Sequence, residues 1–223
     1  MSNTGTDKRD YGSVAWFYEH LSFLYSAGRI RQAKLSQVGE LQPGNKVLYV
    51  GMGAGEDAVI AARHGGNLTC IDLAPEMIAR TRRKFEEAHI SAELICGDVM
   101  AHDRTGSYDV VIANFFLNIF DEAVMKDVLT HLVSLLKPGG KLLIADFAPI
   151  ERGSALRRVT HSAYYGLAIG FYWALRLEPL HPIYDYSYYF ADLGLTQIRT
   201  SFFGLHKLGM LPYYSITAVR TSS

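Results

Sequence analysis

The chain has 223 residues, with 22 Lys plus Arg against 22 Asp plus Glu, 49% hydrophobic residues and 20% charged ones. That length suits one generous domain that buries roughly 70% of its unfolded surface without a disulfide or metal staple, and the balance excludes a disordered chain. Formal neutrality removes any global electrostatic reason to seek nucleic acid.

Residues 1–13 are polar and lack the apolar run of a signal peptide. Helical signals follow up to residue 45, and we expect residues 1–45 to form an N-terminal helical cover. Residues 46–148 then alternate β-rich and helical runs. Lys46 to Val50 reads as a strand that ends in glycines, and Asp57 to His64 as a helix. Leu68 to Ile71 is a second strand ending at Asp72, and Pro75 opens a helix that runs to about Ala88. Ala92 to Ile95 and Tyr108 to Ala113 are the third and fourth strands. Asp121 is the N-cap of a helix to Leu136, and Lys141 to Phe147 is the fifth strand.

Beyond residue 148 the rhythm changes. Ser154 to Arg176 reads as one helix or two broken ones, and Asp185 to Leu193 as a short helix ending at Gly194. Thr196 to Phe203 and Tyr213 to Arg220 form two strands joined by a turn around Gly209 to Pro212. The aromatic stretch 162–177 is broken by Gly166, Gly170 and Arg176 and is too short for a membrane span. There is no internal repeat or linker, so residues 1–223 read as a single domain, with 149–193 as an aromatic-rich helical insertion over the active site.

Strands that are apolar on both faces and separated by helices imply a parallel sheet covered on both sides. Right-handed crossovers make this an α/β fold with a doubly wound, mostly parallel seven-stranded sheet and an antiparallel C-terminal strand. The two cysteines, Cys70 and Cys96, lie in strand-like runs and read as reduced core residues of a cytoplasmic protein. Ligands of such sheets bind outside the carboxyl ends of the strands, so chemistry is sought at 51–57, 72–74, 97–99, 114–118 and 147–150.

Gly51, Gly53 and Gly55 follow a strand and open a helix. Without a Cβ they let the backbone turn tightly and approach a ligand, and helix N-terminal amides favour a negative group. Asp72 ends the second strand 17 residues past Gly55. A carboxylate there accepts both hydroxyls of a ribose, caps the next helix, or does both. The dinucleotide fingerprint needs its third glycine one place later than Gly55. Glu56 stands there and would repel a pyrophosphate, which favours an adenosyl cofactor without phosphates over NAD. Asp98, in Gly97-Asp98-Val99, follows the third strand, where a carboxylate can accept from an adenine amino group. Leu136 to Lys141, with Pro138, Gly139 and Gly140, is a helix end, a tight turn and a strand start.

With these segments together, the chain resembles the class I S-adenosylmethionine-dependent methyltransferases. The residues that carry the resemblance are VLYVGMGAGEDA (47–58), IDLAPEMI (71–78), GDV (97–99), YDVVIANFFLNIFDE (108–122) and LLKPGGKLLIADF (135–147). They stand in the family's order and spacing. Val14 to Glu19 and Ser26 to Arg29 look like the entry segment of the small-molecule methyltransferases of the ubiquinone/menaquinone-biosynthesis type.

The resemblance implies S-adenosyl-L-methionine as cofactor. It places Gly51, Gly53 and Gly55 along the methionine part and Asp72 on the ribose diol. Leu73 and Met77 would flank the adenine, and Asp98 and Val99 would read its edge. Asn114 would lie near the sulfonium or the amino-acid end, and Tyr18 and Arg29 would close over the cofactor. Tyr49 occupies the family's usual Glu or Asp position in this cofactor wall, so a neutral phenol replaces a charge near a cationic ligand. Asn118 stands where many relatives show His.

Ten aromatic residues lie between Tyr164 and Phe190. They are either core packing or the wall of a pocket for a flat, lipophilic acceptor, because Tyr offers both a ring and a hydroxyl. His161, Tyr164 and Tyr165 are the candidate catalytic residues, since His is the natural base near neutral pH. No His/Cys/Asp/Glu cluster has metal-ligand spacing. The expected partner is a small-molecule acceptor, with no nucleic acid, no membrane span, and a monomeric or homodimeric state. The competing expectation is a non-catalytic S-adenosylmethionine-binding module on the same fold.

Overall fold

Along the first strand, β1 (Lys46–Val50), the side chains alternate between two cores. Val47 and Tyr49 join one, Leu48 and Val50 the other, and all four are buried. A strand buried on both faces needs cover on both, and the order of elements supplies it. The structure, a computed structural model, describes residues 26, 28–53, 55–149, 158–160, 162–163, 165–166, 183–205 and 210–221.

Helix α1 (Arg29–Leu35) precedes β1. Then come α2 (Glu56–Arg63), β2 (Asn67–Asp72), α3 (Pro75–Glu87), β3 (Glu93–Cys96), β4 (Tyr108–Ala113), α4 (Glu122–Leu135) and β5 (Leu136–Phe147). The short helix α5 (Ser187–Phe190), β6 (Leu195–Leu205) and β7 (Met210–Arg220) complete the chain. The seven strands lie in the order β3-β2-β1-β4-β5-β7-β6. Strands β1 to β5 pair in parallel, and β7 runs antiparallel between β5 and β6. The doubly wound sheet with its antiparallel C-terminal strand is as the sequence implies.

Helices α2 and α3 bury Ala58, Ala61, Ile78 and Phe85 against Val47, Tyr49, Cys70 and Ile112. Helix α4 buries Met125, Val128, Leu129 and Leu132 on the opposite face, against Leu48, Val50, Val111 and Ile144. Helix α1 lies on the α2 side further along, where Ala33 meets Ala145 and Tyr213. The turn that follows it, Val38–Glu40, is pinned by Glu40, which pairs with Lys141 at 2.8 Å and Arg199 at 2.9 Å. Asp121 caps α4 by accepting from the Val124 N–H at 3.0 Å, as its position before the apolar run predicts.

Four local expectations need correction. The turn expected at 136–141 is an irregularity inside β5: Leu136 already pairs with Tyr108, and the register slips before Lys141 meets Val110. Gly139, at φ 76°, supplies the left-handed residue of that slip. Strand β3 lies at the sheet edge and is only partly buried, so Cys96 is an exposed free thiol and not a core residue, whereas Cys70 is buried. Pro212 lies inside β7, where Gly204 opposite it breaks the β6–β7 register. The helix expected over 185–193 is confined to Ser187–Phe190. Most of the 1–45 cover and of the 149–193 insertion lies outside the described residues. Among the described residues, no helix is long and apolar enough to cross a membrane.

Candidate cofactor and acceptor site

The strand order reverses between β1 and β4, and at such a switch point a crevice opens beyond the carboxyl ends. The glycine turn lies there. Gly51, Gly53 and Gly55 have φ of 58°, 53° and 77°, a region that disfavours any residue with a Cβ. Each has a different surrounding. A Cβ at Gly51 would lie 2.4 Å from the Phe116 ring, and one at Gly55 2.5 Å from the Thr81 hydroxyl. A Cβ at Gly53 would meet nothing within 4 Å among the described residues, so of the three glycines this one presents backbone that they leave open.

Asp72 stands beside that open turn. Its Oδ1 accepts from the Ala74 N–H at 2.9 Å, and the Gly53 N–H also donates to the carboxylate. The carboxylate therefore ties the glycine turn to the end of β2 and keeps lone pairs for a diol. Burial raises its pKa above the ordinary carboxylate value, against the pull of those two amides. Asp98 accepts from the Met100 N–H at 2.9 Å and so caps the turn after β3. Val99 is buried in the core. Leu73 is 73% exposed and Met100 43%, although both are large apolar side chains, and Met77 is half-buried. Two acids with apolar side chains beside them offer hydrogen bonds to polar edges and contact to a flat ring.

Tyr49 and Asn114 are placed differently from the glycines. Both are buried. The Tyr49 hydroxyl donates to Asp57 and accepts from Asn114 Nδ2 at 3.0 Å. Asn114 Nδ2 also donates to Gln37 Oε1 at 3.0 Å, and Asn114 Oδ1 accepts from the Ala145 N–H at 2.7 Å. Asp57 meets Lys34 at 3.3 Å. Burial first, then the Asp57 charge, drives the Tyr49 phenol well above its ordinary pKa. The same two causes push the Cys70 thiol up to about 12. Arg29 donates to Gln32 at 2.7 Å, and its buried Nε has no partner among the described residues.

Toward β5, tyrosines hold the other side. Tyr186 donates to the buried Asp146 at 2.6 Å, Tyr184 to the Phe120 carbonyl at 2.9 Å, and Tyr214 to the Tyr184 carbonyl at 3.0 Å. Burial, then the Asp146 charge, raises Tyr186 well above its ordinary pKa. Tyr165 is buried with its hydroxyl on the Ala148 and Pro212 carbonyls, so it clamps the insertion to the ends of β5 and β7. Tyr18, His161 and Tyr164 lie outside the described residues. After β4, Phe115 adopts φ 51°, which is unusual for an aromatic residue, and its ring packs edge-on to Phe147 at 5.5 Å. Asn118 is buried, and its Oδ1 has no hydrogen-bond partner among the described residues.

Sequence reasoning missed Lys34, Gln37, Asp57, Asp146 and Tyr186. Asp146 carried a signal, a single acid inside the apolar run of β5. The others sit in ordinary helical or aromatic surroundings that do not distinguish them.

Residues 47–140 match the methyltransferase domain family. Among known proteins, the chain is 32% identical over 157 residues to demethylmenaquinone methyltransferase of Tropheryma whipplei (strain Twist), covering 67% of this chain and 62% of that protein. It is 33% identical over 105 residues to ubiquinone biosynthesis O-methyltransferase of Xanthomonas campestris pv. campestris (strain B100), covering 46% of this chain and 43% of that one. The alignments therefore span less than two thirds of either relative. The fold also matches magnesium protoporphyrin IX methyltransferase from Synechocystis PCC 6803 with bound S-adenosylhomocysteine, at a TM-score of 0.68 and 17% identity, over 95% of each chain.

Proposed function

We propose that this chain transfers a methyl group from S-adenosylmethionine to a small aromatic or otherwise lipophilic acceptor. The observation that carries the reading is the pairing of an open left-handed Gly53 with the half-buried Asp72 that grips it. A ligand with a diol and a flat ring gains hydrogen bonds from Asp72 and Asp98 and contact from Leu73 and Met77. Bound S-adenosylmethionine supplies a methyl already activated by a sulfonium, so the protein must mainly align and exclude water. Gly51, Gly53 and Gly55 would line the methionine part of the cofactor.

The acceptor is placed between the end of β4 and the 149–193 cover. Phe115, Phe116, Phe147 and Tyr184 stand at that side, and the named relatives include quinone-pathway methyltransferases. His161 and Tyr164 remain residues proposed to face it, and Tyr165 is the buried clamp at the ends of β5 and β7. We place the activity in the cytoplasm, where the unpaired Cys70 and Cys96 stay reduced.

Titration calorimetry with S-adenosylhomocysteine tests the cofactor half, with micromolar binding expected. No binding at millimolar concentration overturns it. Transfer of a labelled methyl group to phenolic or quinol compounds tests the acceptor half. Tight cofactor binding without transfer to any metabolite of a cell extract favours a non-catalytic binding module instead.

A further inference from the structure

One main-chain donor sets the direction of the hydrogen bonds that run from Asn114 to Gln37 and, through Tyr49, to Asp57. The Ala145 N–H can only donate, so the oxygen of the Asn114 amide must face it. Asn114 Nδ2 then directs its two hydrogens at Gln37 Oε1 and at the Tyr49 oxygen. Because Tyr49 accepts there, its own proton goes to Asp57. The same Asp57 oxygen meets the Lys34 ammonium, which also lies 5.9 Å from the centre of the Phe115 ring.

Five side chains thus join four separate pieces of backbone, with Tyr49 contributed by β1. Lys34 lies in α1 and Gln37 just beyond it. Asp57 is the second residue of α2, two places past Gly55. Asn114 is the first residue beyond β4. Helix α2 starts at Gly55 without a side-chain cap, so Asp57 is turned to Tyr49 and Lys34 instead of to its own helix amides. The phenol of Tyr49 is the middle link. Without its hydroxyl, Asp57 and Asn114 lose their connection while the ring still fills the core between β1 and α2.

We propose that Tyr49 is a positioning residue that couples helix α1 to the glycine turn, so that binding at the turn and docking of α1 are one event. This rests on the cofactor reading above. Ordering the turn tightens Asp57 on Tyr49 and Lys34, and a docked α1 in turn offers the turn its preferred shape. The coupling is reciprocal, as any linkage between two sites must be.

The test is Tyr49→Phe, which keeps the ring. Calorimetry with S-adenosylhomocysteine and deuterium exchange of residues 29–37 are measured with and without that ligand. In the unaltered protein the ligand should slow exchange in this segment. In Tyr49→Phe the dissociation constant should rise about ten-fold, the scale of one lost hydrogen bond to a charged group, and the protection should vanish. Lys34→Met should act in the same direction, and the double variant should be no worse than the stronger single one. A merely structural Tyr49 would lower the melting temperature and leave the ligand-induced protection intact. Wild-type affinity with unchanged protection in Tyr49→Phe overturns the proposal, as do effects that multiply in the double variant. If Tyr49→Phe does not fold, Lys34→Met decides alone, since unchanged affinity and protection there overturn the coupling. Failure of the unaltered protein to bind the ligand overturns the cofactor reading and the coupling together. Binding by the unaltered protein with indifferent variants overturns only the coupling.

Discussion

The edge over β1 to β3 and the edge over β4 and β5 are built by different means. Over β1 to β3 the key groups are backbone, together with carboxylates at strand ends. Gly53 is open, and Asp72 and Asp98 each hold a neighbouring amide within two residues. Over β4 and β5 the polar groups are buried side chains tied to partners far along the chain. Tyr186 reaches back 40 residues to Asp146, and Tyr184 reaches back 64 to Phe120. The first edge is a cradle whose turns and caps are set largely by local rules. The second is a packed wall whose shape depends on the whole fold.

The sharpest way to break this contrast lies inside the cradle. Gly51→Ala should cost about 2–5 kcal/mol, combining left-handed strain with overpacking against Phe116. Gly53→Ala should cost only about 1–2 kcal/mol, because strain is its sole penalty. Urea unfolding of both variants checks the order. Gly53→Ala should nevertheless weaken S-adenosylhomocysteine binding, since its methyl group would occupy the ligand's approach. Equal costs for the two would mean that Phe116 moves aside freely.

The wall should respond in the opposite sense. Tyr186→Phe removes a donor from a buried carboxylate and should cost about 1–3 kcal/mol of stability, with cofactor affinity nearly unchanged. Chemical denaturation and calorimetry together read both. A large loss of cofactor affinity at unaltered stability would show that the two edges are not separable.

The smallest effect expected is a pH dependence at Asp72. Burial raises its pKa, so the folded protein holds this proton at a pH where the unfolded chain has lost it. Between the unfolded and folded values, stability from this group falls as pH rises. Cofactor affinity moves the other way, because the diol needs the ionised acid. Affinity should therefore decline on acidification from just above the ordinary Asp range, and Asp72→Asn should bind more weakly with a flatter profile. An unchanged profile in Asp72→Asn would remove Asp72 from the ribose.

Much of the cradle is legible in the sequence. A tight glycine turn and a strand ending in Asp72 are local events, as is the Asp121 cap on α4, each decided within a few residues by sterics and hydrogen-bond geometry. The parallel sheet followed from strands apolar on both faces, which nothing but two covering layers can satisfy. Tertiary structure alone decided the rest. Tyr49 reads in the sequence as a missing charge on the cofactor wall, and the fold makes it the middle of a buried relay, because α1 and the residues just beyond it bring Lys34 and Gln37 to Asp57 and Asn114. Cys96 looked like core until the strand order put β3 at the edge. Which partner a side chain finds 40 or 60 residues away depends on strand order and helix placement, and neither is written in the periodicity of the segment that carries it.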